Sequence, residues 1–226
     1  LQSLSGRGIA VMTPGSRTSV RRYQSGRMQF NSLVASVLSA VMLTACVPAT
    51  ARVSSFPSLF SDLDNLPAMR WDHRPEAAAW TQSTITAIAA HDDVLASKVP
   101  SDIEAWCPGY ETASMQDRRA FWSGLLSAVA KYESNWNPKA SGGGGRYIGV
   151  MQISPKSAAQ YDCDATSSQS LKDGAANLSC AVEMMADNVG RDNMVAGSGR
   201  SGVGRDWMPF RKAASRTEMA NWTKAQ

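Results

Sequence analysis

The stretch that most constrains this chain runs from Arg118 to Tyr161, RRAFWSGLLSAVAKYESNWNPKASGGGGRYIGVMQISPKSAAQY. Trp122, Leu126, Val129 and Glu133 recur at alternating steps of four and three, which places Glu133 on an apolar helical face. A charge is out of keeping there. Burial disfavours ionisation of a carboxyl, and the negative end of the helix dipole disfavours it again, so the pKa of Glu133 is expected to rise. A raised carboxyl suits general acid chemistry near neutral pH. A second row, Phe121, Leu125, Ala128 and Tyr132, is expected in the core. Ser114, a capping distance before Asp117, is the predicted helix start. Asn137-Pro138 is the predicted stop, because a proline drives the preceding residue out of helical geometry.

After the stop, Ser141–Gly145 is expected to be flexible. Ile148–Ile153 reads as short and β-like, and Ser154-Pro155 opens another helix through Tyr161. Upstream, Glu76–Leu95 is Ala-rich and helix-forming, with Pro75 suited to its first turn and Trp80, Ile85, Ile88 and Val94 as core candidates. Residues 100–116 form a connection containing Cys-Pro-Gly. Asn177 starts a helix reaching about Val189, and Arg216–Trp222 is a closing helix. Gly197–Gly204, GSGRSGVG, reads as flexible. His91 reads as a helix-end residue; with only His73 besides, no second His stands at metal-ligand spacing and no metal site is expected.

Glu-Ser-Asn-Trp-Asn-Pro-Lys-Ala from Glu133, followed by Gly-Val-Met-Gln-Ile-Ser-Pro-Lys-Ser-Ala from Gly149, resembles the signature of the soluble-lytic-transglycosylase-like (goose-type lysozyme-like) peptidoglycan enzymes. The resemblance covers residues 115–225. It implies a mainly α, lysozyme-like (SLT-type) domain with a short β-like element at the Gly-Val-Met-Gln motif. It also implies that Glu133 is catalytic and that Ser134, Tyr147, Met151 and Gln152 bind substrate, with Gln152 in the sugar cleft and Met151 packed beneath it. The glycine loop then either admits glycan close to the backbone or is a plain surface loop. Relatives often carry Ala-Tyr-Asn-x-Gly, whose Tyr reaches the catalytic Glu, and this chain lacks it. Tyr147 is the substitute candidate, for sugar stacking or for a hydrogen bond to Glu133. Trp207 and Phe210 either cap the core or close the cleft.

The family reaction needs one carboxylate. Glu133 would protonate the β-1,4 oxygen between N-acetylmuramic acid and N-acetylglucosamine, then take the proton of the C6 hydroxyl as a 1,6-anhydro ring forms. No cofactor is implied. Two alternatives stay open: a hydrolytic muramidase of the same fold, with Asp162 or Asp164 as second carboxylate, and a non-catalytic cell-wall-binding protein.

At 226 residues the chain suffices for one full domain with extra segments. Residues 1–45 carry Arg7, Arg17, Arg21, Arg22 and Arg27 and no acid, ahead of an apolar run from Leu33 to Leu43 that reads as a signal-peptide core. Removing those five from the 23 Lys and Arg leaves 18 against 19 Asp and Glu, a remainder of −1. The overall charge of +4 therefore belongs to the leader and points to no nucleic-acid partner. Leu43-Thr44-Ala45-Cys46 resembles a bacterial lipobox, so Cys46 is expected to carry lipid, with the domain held at the periplasmic face of the outer membrane. Residues 46–75 read as tether and linker, where Phe56, Leu59 and Phe60 are candidates for docking, and 76–226 as the lysozyme-like domain. In an exported chain Cys163 and Cys180 are expected to pair, as a similar pair does in many relatives, at about 3 kcal/mol for a loop this size. Cys107 is left over, either buried or competing as a partner.

Overall fold

The helix that carries Glu133 is the axis around which the other elements pack. The computed structural model describes residues 66–226. The leader, Cys46 and the docking candidates Phe56, Leu59 and Phe60 lie outside the described residues. The axial helix, α2 (Met115–Ser134), buries every residue from Phe121 to Ala130. It is thus covered all round, rather than along the two rows read from the spacing. Ser123 and Ser127 make this possible: their hydroxyls are small and both are satisfied. Ser123 Oγ lies 2.7 Å from Thr84 Oγ1, while Ser127 Oγ donates to Gly124 O at 2.6 Å and accepts from Arg70 N at 3.1 Å. Tyr132, expected in the core, is exposed and donates to Glu218 at 2.9 Å instead.

Both ends of α2 are set by short-range chemistry. Ser114 accepts from Asp117 N at 3.1 Å and donates to the Asp117 carboxylate at 2.7 Å, a reciprocal cap at the predicted position. At the other end the helix stops before the predicted Asn137-Pro138. Asn135 and Trp136 turn left-handed, with φ of 51° and 57°. Such a conformation is strained for a bulky residue, and Trp136 is held in it by its indole N–H on Ser127 O at 2.8 Å.

The helix α1 spans Ala77–Ala90, shorter than Glu76–Leu95, and ends where the His91 N–H returns to Ile88 O. It packs on α2 and on α4 (Gly174–Asp192). Trp80 and Ile88 are buried, Ile85 and Val94 only partly. His91 is at the helix end as expected and pairs with Glu183 at 2.9 Å. The body begins earlier than residue 76: Met69 and Trp71 are buried, and the Trp71 indole donates to Thr81 at 2.9 Å. These are isolated anchors, and isolated anchors carry no period.

After α2 comes a hairpin in place of the expected flexible loop. Strands β1 (Ser141–Gly142) and β2 (Tyr147–Ile148) pair antiparallel, Ser141 opposite Ile148 and Gly142 opposite Tyr147. Gly143, Gly144 and Gly145 all take positive φ in the turn between them, which explains the glycine run. The helix α3 (Pro155–Gln160) is capped by Ser154, and a disulfide joins Cys163 to Cys180. Cys107 is half-buried and is the free thiol among the described cysteines.

Asp173 caps α4, which begins three residues before Asn177. The segment after it is pinned rather than flexible. The Asp102 carboxylate accepts from the N–H groups of Val195, Ala196 and Gly197 at 2.6, 3.1 and 2.7 Å. Trp207 and Phe210 are buried, so they belong to the core. The last helix, α5 (Ala213–Lys224), packs on α2. The fold is mainly α, with its strand pair next to the Gly-Val-Met-Gln motif.

Candidate active site

Glu133 stands in the last turn of α2, half-buried, and no hydrogen-bond partner engages its carboxylate among the described residues. Burial pushes its pKa up to about 7, and no neighbouring charge contributes to the shift. The carboxyl is therefore poised between acid and base at neutral pH. This matches the reading from the helical wheel.

The structure brings the Gly149–Gln152 turn to this helix end. Ile148 and Ile153 exchange two backbone hydrogen bonds of 3.0 Å, which closes the turn into a loop of four residues. Ser134, the residue after Glu133, donates to Val150 O at 2.8 Å. Gly149 N donates to Ala140 O at 2.9 Å, tying the turn to the stretch before β1. Only glycine suits position 149: its φ is +81°, and a Cβ would collide with the Leu171 carbonyl and the Asn177 side chain.

Two residues absent from the sequence-derived site hold this turn from behind. Asn177, fully buried on α4, accepts from Met151 N at 2.8 Å and donates to Ile148 O and Leu171 O, each at 3.0 Å. Trp207 donates its indole N–H to Met151 O at 3.0 Å. A buried backbone turn with both neighbouring carbonyls and N–H groups satisfied is rigid, and a rigid wall is what positioning chemistry requires. An Asn amid the apolar Ala-Ala-Asn-Leu-Ser-Cys-Ala-Val run is the one signal that marked position 177.

The sequence-predicted residues separate by role. Gln152 is half-buried with φ 51°, donates to Gly149 O at 2.9 Å and lays its carbonyl oxygen against Gly142. Met151 is fully buried, underneath the turn. Ser134 is occupied by Val150 O and by Asn137 N. Tyr147 is 42% exposed, packs over Gly143 and makes no hydrogen bond to Glu133, so it stands open for stacking. Asp162 and Asp164 are exposed, and neither contributes to the shift at Glu133.

A half-buried glutamate at a helix end, next to a serine that clamps a braced turn, makes up the candidate site. Residues 112–218 match the transglycosylase SLT domain, and this part of the chain is similar to that family. Among solved structures, wild-type Bd0314 DslA is similar, with a TM-score of 0.62 and 26% identity over 69% of this chain and 94% of that one. A mutant of DslA gives a TM-score of 0.61 and 27% identity over 68% and 92%. Among curated proteins, none matches this sequence.

Proposed function

We propose that this protein is a peptidoglycan lytic transglycosylase that cleaves the β-1,4 bond between N-acetylmuramic acid and N-acetylglucosamine with Glu133 as its single acid and base. The observation that carries the reading is the raised pKa of Glu133, to about 7, caused by burial alone. A carboxyl in that state donates a proton readily and, once ionised, accepts one back. In the first step the Glu133 proton passes to the glycosidic oxygen as the bond to C1 breaks. In the second, O6 of the same muramic acid bonds to C1 and its hydroxyl proton returns to Glu133. Atoms balance without water and the enzyme is regenerated. The turn at Gly149–Gln152 and the exposed Tyr147 ring supply the surfaces against which the sugar lies. The Leu-Thr-Ala-Cys sequence supports a lipid anchor at Cys46 and a place on the periplasmic face of the outer membrane.

Mass spectrometry of the products released from purified sacculi tests this. Fragments lighter than the hydrolytic product by one water, without a reducing muramic end, are expected. Reducing ends would overturn the single-carboxylate mechanism and direct attention to Asp162 and Asp164. Binding without any release would make the protein a wall-binding module.

A further inference from the structure

Between Glu133 and Asp162 the chain has no acidic residue, yet it carries Lys139, Arg146 and Lys156. This stretch builds the hairpin, the Gly149–Gln152 turn and the start of α3, whereas the rest of residues 46–226 holds 15 Lys and Arg against 19 Asp and Glu, a net of −4. All three cations are exposed. None takes part in an ion pair among the described residues. Many arginines of the helical body are tied down by contrast. Arg70, Arg119, Arg191 and Arg205 pair with carboxylates, and Arg118 spends its guanidinium on three carbonyls. Arg146 lies 6.0 Å over the exposed Tyr147 ring, so its charge sits beside an open aromatic surface. Lys139 is steadied by a 3.2 Å bond to Lys172 O, which sets a fourth cation-bearing residue beside it. The nearest acid in that second segment, Asp173, is occupied as the cap of α4.

We propose that these three unpaired cations, carried by the hairpin and the elements that flank it, select glycan strands whose peptide stems carry free carboxylates over naked or neutralised strands. The inference rests on the glycan-cleaving reading and names the substrate class of that same site. An unpaired, exposed positive surface attracts anions at a range of about 8–10 Å in ordinary salt, and it attracts a polyanion more than a single charge. Tyr147 offers the sugar a face, and Lys139, Arg146 and Lys156 offer the stems a charge partner.

The test uses the full chain carrying Glu133→Gln, whose turnover should be slowed by roughly 10²–10⁴-fold, in sedimentation with purified sacculi, with soluble strands read as competitors of that sedimentation. Three substrates are compared: native sacculi, sacculi whose carboxylates are amidated with methylamine, and strands stripped of peptide by an amidase. Native material is expected to bind roughly three- to tenfold more tightly than either of the others at low salt, with the difference gone near 1 M salt. Adding Lys139→Gln, Arg146→Gln and Lys156→Gln should abolish the ratio and leave binding to amidated sacculi unchanged, which also shows that the variant is folded. The charge-preserving set Lys139→Arg, Arg146→Lys and Lys156→Arg should keep the ratio. Equal binding of native and amidated sacculi, or a ratio that survives the Gln set, overturns the proposal. Stripped strands binding as well as native ones would move the recognised carboxylate to the sugar and overturn the assignment to peptide stems. Failure of the enzymatic reading shows up separately, as wild-type protein that binds sacculi and releases nothing.

Discussion

Ser134 Oγ donates to Val150 O at 2.8 Å and accepts from Asn137 N at 3.1 Å. One hydroxyl thereby joins the residue after Glu133 to the turn that faces it and closes the chain reversal beyond the helix. The Glu-Ser pair thus sets a half-buried carboxyl beside a clamp. Replacing Ser134 by Ala leaves the Val150 carbonyl without its partner, which should cost about 1–2 kcal/mol in urea unfolding. Turnover should fall roughly tenfold with KM little changed, because a displaced turn misplaces the sugar against the acid. Unchanged kcat alongside the lost stability would make the bond structural only.

Burial of Glu133 lowers stability at neutral pH. Its pKa is about 7 in the fold against 4.5 for an ordinary glutamate, so below pH 4.5 both states are neutral and nothing is lost. Between pH 4.5 and 7 the unfolded chain ionises while the folded one resists, and stability falls. Glu133→Gln should therefore match wild type at pH 4 and exceed it at pH 8, by roughly 1–3 kcal/mol. Activity should drop by roughly 10²–10⁴-fold. The wild-type rate should decline as pH rises through about 7, where the proton to be donated is lost. Equal unfolding curves for the two proteins at pH 8 would contradict the buried acid.

What the chain disclosed in advance follows from sequence distance. The cap of α2 was legible because Ser114 and Asp117 are three residues apart and act on each other. Glu133 was legible because its apolar neighbours are on the same helix. Strands of two residues have no period, so the hairpin at Ser141–Ile148 read as a loop. Met69 and Trp71 were missed for a related reason, since single anchors inside a Pro-rich stretch look like linker. The braces of the turn lie further off: Asn177 bonds Met151 across 26 residues and Trp207 across 56. No local pattern encodes a bond of that separation.

Asn177 is the strongest of these braces, because one side chain satisfies three buried backbone groups. Asn177→Ala leaves Met151 N and Leu171 O unpaired, and Ile148 O with the Ile153 N–H alone, in a fully buried site. A loss of about 3 kcal/mol or more is expected in denaturant unfolding. Whatever folded protein remains should show a raised KM for soluble glycan fragments. A loss below about 1 kcal/mol would mean that water replaces the side chain.

Glu218 fastens α5 to the same end of α2. Arg70 holds its carboxyl down to about 2, with Lys131 and Tyr132 adding their hydrogen bonds. A lowered carboxyl stabilises the fold above pH 4.5, and that contribution fades as pH falls through 4.5 towards 2. The group is 38% exposed, so solvent screening trims the gain. Glu218→Gln should cost about 1 kcal/mol at pH 7 in low salt, less in 1 M salt, and nothing near pH 2. A cost that persists unchanged at pH 2 would locate the effect in packing rather than charge.

Trp207 is 3% exposed and points its indole N–H at Met151 O. Buried in this way, it cannot touch a sugar, and its influence must pass through the turn. Trp207→Phe keeps most of the apolar volume and removes the donor, so the Met151 carbonyl is left without it at a cost of about 1–2 kcal/mol. Because Met151 lies directly before Gln152, loosening that peptide should raise KM more than it lowers kcat. The pH at which the rate declines should not move, since burial of Glu133 is unaltered. Steady-state kinetics from pH 5 to 8 decide the matter: a displaced pH limb would mean that Trp207 also shields the acid, whereas an unshifted limb with raised KM identifies it as a brace for the turn alone.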